Sequence, residues 1–105
     1  MAGFVQIIEF TSSQPDAVRA LTEDYRAARG ASGEAMPVVR STVTADRDRP
    51  NTYLNIVEFV SYEEAMKNSQ NPATTEFSQK MMAICDGPPR FYNLDIVEVS
   101  EFAKT

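Results

Sequence analysis

The chain of 105 residues carries 15 acidic and 10 basic side chains, a formal charge of −5, no histidine and one cysteine. Its length suits a single domain with a modest core, and its acidic balance lacks the basic stripe that a phosphate backbone requires, which argues against nucleic acid as a partner. Without imidazole, and with Cys85 the only thiol, a zinc site, a thiolate–imidazole pair and a histidine-ligated haem are close to excluded, so no metal and no cofactor is expected.

In chain order, Met1-Ala2-Gly3 has no basic leader and runs straight into a strand. No apolar run approaches the roughly 20 residues that cross a bilayer, so the chain is expected to be cytoplasmic, with no membrane partner. The first strand, about Gly3 to Phe10, is apolar except at Gln6 and Glu9, a pattern that suits coverage on both faces. Ser12 or Ser13 can cap the following helix, with Pro15 and Asp16 in its first turn. Val18, Leu21, Tyr25 and Ala28 recur at helical spacing and are expected to face the sheet, with Arg19, Glu23, Asp24 and Arg26 turned away and Gly30 ending the helix. A β-branched run predicts the second strand over Met36 to Thr44, and Ala45 to Asn51 reads as a polar turn. The third strand, about Thr52 to Val60, leads to a helix capped at Ser61, with Glu64 at capping-box spacing. Asn71-Pro72 starts another helix, whose buried stripe is Ala73, Phe77, Met81 and Ile84. Asp86-Gly87-Pro88-Pro89 stops it, and the last strand is expected over Arg90 to Val99.

Phe4-Val5-Gln6-Ile7-Ile8-Glu9-Phe10-Thr11-Ser12 returns, class for class, as Tyr53-Leu54-Asn55-Ile56-Val57-Glu58-Phe59-Val60-Ser61, and part of the phrase recurs at Ile96-Val97-Glu98-Val99. A strand-to-helix unit used twice in one small domain predicts the ferredoxin-like split βαβ fold, an α+β domain over residues 1–105 with an antiparallel sheet. The three related segments should then be neighbours. Helices cover one face of such a sheet while these strands are apolar on both, so a two-fold homodimer packing sheet against sheet is expected.

Phe59-Val60-Ser61-Tyr62-Glu63-Glu64-Ala65-Met66, followed by Ser69-Gln70-Asn71-Pro72 and Phe77, resembles the centre of the dimeric α/β-barrel superfamily, in particular its antibiotic-biosynthesis-monooxygenase-like branch. The resemblance follows element order along the whole chain and individual residues from about Tyr53 to Phe77. It implies a dimeric α/β barrel and, among the activities of that superfamily, cofactor-free oxygenation of aromatic polyketides. Two departures bear on chemistry: the strand-ending aromatic, often Trp in the oxygenases, is Phe59, and the helical His of many relatives falls around Asn68-Ser69. Phe donates no indole N–H, and neither Asn nor Ser exchanges protons near neutral pH.

Gln6, Asn55 and Asp95 share strand parity with Phe4, Val57, Phe59 and Val97, placing a few polar groups in an apolar wall, as in a pocket for an aromatic ligand. Alternatively, Gln6 and Asn55 bond to backbone or edge water. Glu9, Glu58 and Glu98 share the other parity and, if close and dry, would raise one another's pKa; pairing with Arg40 or a lysine is the alternative. Tyr25, Tyr62 and Tyr92 are candidates to point a phenol into a cavity between sheet and helices, lined softly by Met36, Met66, Met81 and Met82. As a monooxygenase, the protein would use substrate carbanion chemistry with dioxygen and no metal, with Asn55, Tyr62 and Arg90 positioning the anion. Tyr25, Phe59, Met66, Phe77, Met81 and Tyr92 would hold a hydrophobic or aromatic small molecule. The competing expectation is a non-catalytic dimerisation or ligand-sensing module.

Overall fold

The computed structural model describes residues 3–31 and 37–102. Its elements follow in the order β1 (Phe4–Thr11), α1 (Pro15–Ala31), β2 (Val38–Ala45), β3 (Thr52–Phe59), α2 (Tyr62–Ser69), α3 (Pro72–Ile84) and β4 (Arg90–Asp95). The strands form one antiparallel sheet in the order β2-β3-β1-β4, which is the ferredoxin-like arrangement. Among the described residues no helix is long and apolar enough to cross a membrane.

The repeated phrase pairs with itself in the middle of the sheet: Ile7 of β1 lies opposite Ile56 of β3, Phe4 opposite Phe59 and Phe10 opposite Tyr53. Alternation then sends Phe4, Gln6, Ile8 and Phe10 to the helix-covered face, together with Phe59, Val57, Asn55 and Tyr53. Val5, Ile7, Glu9, Leu54, Ile56 and Glu58 go to the other face, which this chain's helices leave open.

Because β1 and β3 run antiparallel, the glutamates of the two copies diverge. Glu9 stands opposite Leu54 and Arg90, and Glu58 opposite Val5 and Arg40. The third copy does not join them: β4 ends at Asp95 rather than Val99, and the last bond along that edge runs from the Ile96 amide to the Gly3 carbonyl at 3.0 Å. Val97 and Val99, beyond that end, are 93% and 69% exposed. The carboxylates take cations instead, Glu58 from Arg40 and Glu9 from Arg49, each at 3.0 Å.

In β2 the register shifts between Val38 and Arg40, so that Val38 lies opposite Phe59 and Arg40 opposite Glu58. Val39 is the extra residue of a bulge and is exposed. The turn into β3 is closed by Asp46, whose Oδ1 accepts the amides of Asp48 and Arg49 and whose Oδ2 takes Arg49 Nε at 2.8 Å. Asn51 ends this turn at φ 59°, a left-handed conformation that Asn tolerates better than most residues.

The packed core occupies one end of the molecule, where Phe4, Val57 and Phe59 meet Ala65 of α2, with Val38 and Met66 against them. Ser61 caps α2 by accepting the Glu64 amide at 3.1 Å, and Asn71 caps α3 by accepting the Ala73 amide at 2.9 Å. Tyr62, in the first turn of α2, sets its ring edge-on to Phe4 at 5.2 Å.

α1 begins differently from the sequence expectation. Gln14 supplies the first helical carbonyl, accepting the Val18 amide, and the helix continues through Gly30 to Ala31. Ser12 is fully buried; its hydroxyl accepts the Gln14 amide at 3.1 Å and donates to the Ile84 carbonyl at 2.7 Å, tying the end of β1 to the end of α3. The neighbouring Asp86 amide donates to the Thr11 carbonyl at 2.8 Å.

Replacing Ser12 with Ala leaves the Ile84 carbonyl unmatched beside a buried methyl. We expect a loss of about 1–3 kcal/mol in urea-monitored stability with the fold retained. The Asp46 carboxyl is held below its ordinary range, chiefly by the Asp48 amide and next by Arg49. Its contribution is present above the unfolded pKa near 3.8 and is lost as pH falls through the lower folded value. Protection of the Asp48 and Arg49 amides, relative to their intrinsic exchange rates, should therefore fall under acid, and Asp46→Asn should lower it already at neutral pH.

Candidate functional site

Away from the packed end, the long helices stack on each other rather than lying flat on the sheet. Tyr25 of α1 and Phe77 of α3 stack at 4.5 Å, and the Tyr25 hydroxyl hydrogen-bonds Thr74 at 2.9 Å and accepts from Arg29 at 2.7 Å. Leu21, Tyr25 and Ala28 consequently meet α3, and only Val18 of the expected sheet-facing stripe looks onto the sheet side. The rotation carries Arg19, Thr22, Glu23 and Arg26 over the strands, a correction to the expected outward placement of Arg19, Glu23 and Arg26. No residue of α3 is fully buried.

Between helices and sheet lies a cavity of about 570 Å³. Its floor is Ile8, Phe10, Val43, Tyr53 and Phe91 with Asn55 among them, and Phe10 and Tyr53 stack at 5.6 Å. α3 and the segment after it supply Phe77, Met81, Met82 and Cys85. The volume falls within the range of about 300–1,000 Å³ usual for small-molecule sites, and the lining of apolar groups with few polar ones is equally usual.

Asn55 is oriented from the neighbouring strand, its Oδ1 accepting the Ser41 hydroxyl at 3.0 Å. Among the described residues no protein acceptor engages its amide nitrogen, so two N–H donors remain for a guest. Gln6, on the same face, is taken by Asn93, to which its Nε2 donates at 2.9 Å. Cys85 lines the wall with its thiol pushed above the usual value, first by burial and then by the adjacent Asp86. It is a protonated, weakly nucleophilic group at neutral pH. Among the described residues no group of three or more Cys, Asp or Glu side chains is arranged to hold a metal ion.

Of the residues the sequence nominated, the cavity gathers Asn55, Phe77, Met81 and Met82. Tyr25 lies behind it in the α1–α3 seam. Phe59 and Met66 belong to the packed core, and Tyr62 is half exposed against Phe4. Arg90 and Tyr92 alternate onto the open face, where the Tyr92 hydroxyl donates to Glu9 at 3.1 Å and the Arg90 guanidinium lies 5.8 Å from the Tyr92 ring centre. Met36 lies outside the described residues. The sequence reading missed Arg19, Thr22, Glu23 and Arg26 because a helix with a partner helix as well as a sheet has two inward faces, and a single apolar stripe does not distinguish them.

A ferredoxin-like α+β domain with an apolar cavity between sheet and helices is the class that this fold and site define. The same fold is seen in the antibiotic-biosynthesis-monooxygenase-like proteins that the sequence resembles. A candidate antibiotic biosynthesis monooxygenase from Caulobacter crescentus superposes with a TM-score of 0.77 at 14% identity, covering 92% of each chain. SnoaB, a cofactor-independent oxygenase from Streptomyces nogalater, superposes at 0.71 with 16% identity over 99% of this chain and 100% of its own. A candidate antibiotic biosynthesis monooxygenase from Bordetella bronchiseptica gives 0.75 at 13% identity over 95% of this chain and 100% of its own. At these identities the likeness is one of fold. No protein-family profile and no curated protein sequence matches the chain.

The position of Cys85 gives a direct check on the cavity wall. Alkylation by iodoacetamide at neutral pH should be several-fold slower in the native protein than in urea and should speed up as pH rises toward the raised thiol pKa. Equal native and unfolded rates would place the thiol in open solvent.

Proposed function

We propose that the protein binds a planar, hydrophobic or aromatic small molecule between sheet and helices and that it is a cofactor-independent monooxygenase of polyketide-like substrates. The observation that carries this reading is the open, largely apolar cavity over Asn55, where a filled core would have favoured a non-catalytic interaction module. The cofactor-independent oxygenase among the structural neighbours adds support at the level of fold.

The chemistry open to such a site needs an acidic C–H on the substrate. Transfer of that proton to water leaves a carbanion delocalised into an adjoining carbonyl or phenol, whose oxygen can accept the free Asn55 N–H groups. The carbanion reduces dioxygen and forms a C–O bond, and the peroxide anion takes a proton back from water to give a hydroperoxide. Loss of water then leaves a ketone, so a CH₂ becomes C=O while O₂ supplies one oxygen to product and one to water. The substrate provides all four electrons. The protein contributes a largely apolar wall for the rings and orientation of the anion by Asn55. A ligand-sensing module is the second reading, and oxygen uptake separates the two.

The assembly we propose is a homodimer packed through the open sheet face, where Ile7, Leu54 and Ile56 stand half-buried and Leu94 is 43% exposed. Sedimentation equilibrium should return a dimer at micromolar concentration, and Ile56→Asp should convert it to monomer.

Titration with hydroxylated anthracenes, naphthols and quinones tests the ligand. Binding should be detected, and Asn55→Ala should weaken it by about 1–3 kcal/mol, the usual range for an unmatched polar contact. Tyr62→Phe should leave it unchanged, since that hydroxyl lies outside the cavity. Oxygen consumption with the tightest binder would support catalysis; no binding across the panel would sink the cavity as a ligand site.

A further inference from the structure

The geometry points to an aromatic acid as the guest, with Arg26 and Arg19 of α1 recognising its carboxylate. This rests on the cavity being the ligand site and specifies what enters it.

Arg19, Thr22, Glu23 and Arg26 form one stripe of α1 over the strands, and all four line the cavity. At 1.5 Å per residue the two arginines lie roughly 10 Å apart along the helix axis. Arg26 makes no ion pair among the described residues. Arg19 has a single contact, at 3.6 Å to Asp16, in which both side chains are largely exposed. Such a pair is worth little and exchanges readily for a better partner. Arg40, by contrast, is engaged with Glu58 at 3.0 Å, and Arg49 with both Glu9 and Asp46.

The charge distribution is the second argument. The chain as a whole carries −5, yet the charged residues lining the cavity are Arg19, Arg26 and Glu23, two cations to one anion. A locally positive rim on an acidic protein, above apolar walls, draws an organic anion to this opening in preference to the rest of the surface. Both cations are arginines, whose planar fork meets a carboxylate through two parallel hydrogen bonds.

The polar groups fall at separate places. Asn55 sits on the floor with amide donors suited to a neutral carbonyl or hydroxyl, and Arg19 and Arg26 line the helix side of the opening. A guest satisfying both carries a carbonyl or hydroxyl on its ring system and an ionised carboxylate on the side toward α1, with the rings against Phe10, Phe77, Met81 and Phe91.

The test uses anthraquinone-2-carboxylate and its neutral carboxamide, with affinities measured by calorimetry at neutral pH in low and high salt. The acid should bind about tenfold more tightly than the amide at low salt, the scale of one charge-assisted contact. Added salt should erode that preference. Arg26→Gln should bring the ratio of the two affinities close to one, and Arg19→Gln should lower it in part. Arg47→Gln removes the same formal charge from the exposed β2–β3 turn, outside the cavity, and should leave the ratio unchanged. If Arg47→Gln lowers the ratio as much as Arg26→Gln, net charge is responsible and the assignment falls. Equal binding of acid and amide, with both abolished when Met81→Trp fills the cavity, would overturn the anion assignment and leave the cavity as a ligand site. Failure of both probes to bind would remove the ligand site and this inference with it.

Discussion

The open cavity depends on the contact between α1 and α3. Tyr25 and Phe77 stack, and the phenol joins Thr74 and Arg29 in a hydrogen-bonded group. An aromatic pair of this kind contributes on the order of 0.5–1.5 kcal/mol beyond the area it buries. Its larger effect is geometric: each helix spends an apolar edge on the other and so stands above the strands. At the opposite end α2 has no helix competing for Ala65, which drops onto Phe4, Val57 and Phe59 and closes the core. The molecule is a wedge, dense at the Phe4 end and hollow over Asn55.

The fold was legible because the repeat is a statement about topology. Two matched strand-to-helix units with apolar strands leave few ways to build one sheet, and the caps at Ser61 and Asn71 could be named from local chemistry alone. The errors share a cause, which is that pairing is non-local. Ile96-Val97-Glu98-Val99 has the composition of a strand, but the ladder with β1 stops at Asp95, and only the Ile96 amide bonds back, to the Gly3 carbonyl. Ser12 and Ser13 looked like helix caps, but the carbonyl waiting at Ile84, contributed from far along the chain, claimed the Ser12 hydroxyl.

The site was harder to read, for a related reason. Strand parity correctly grouped Asn55 with Phe4, Val57 and Phe59, since alternation requires no knowledge of neighbours. With Asp95 on the face of Asn55, alternation sends Arg90 and Tyr92 to the opposite face, where their pairing with Glu9 and Ile7 puts them, so their nomination for the site conflicted with strand phase. Helical phase was the weakest guide: the side of α1 that carries Arg19 and Arg26 reads as a solvated face until the partner helix is known, and only then does it become a wall.

The bulge at Val39 gives the sheet a point where the spacing of the chain can be absorbed. From Arg40 to Ala45 the faces of β2 are fixed by the hairpin to β3, and these residues include Ser41, which orients Asn55, and Val43 in the cavity floor. Before Val39 the phase starts afresh, with Val38 opposite Phe59 at the packed end. A strand without the extra residue would put its next residue opposite the same Phe59, so the pairing on either side tolerates the bulge or its loss. Variation in the length of the connection entering β2 therefore has somewhere to stop. It can change how the chain arrives at the dense end of the wedge without turning the floor of the hollow end over.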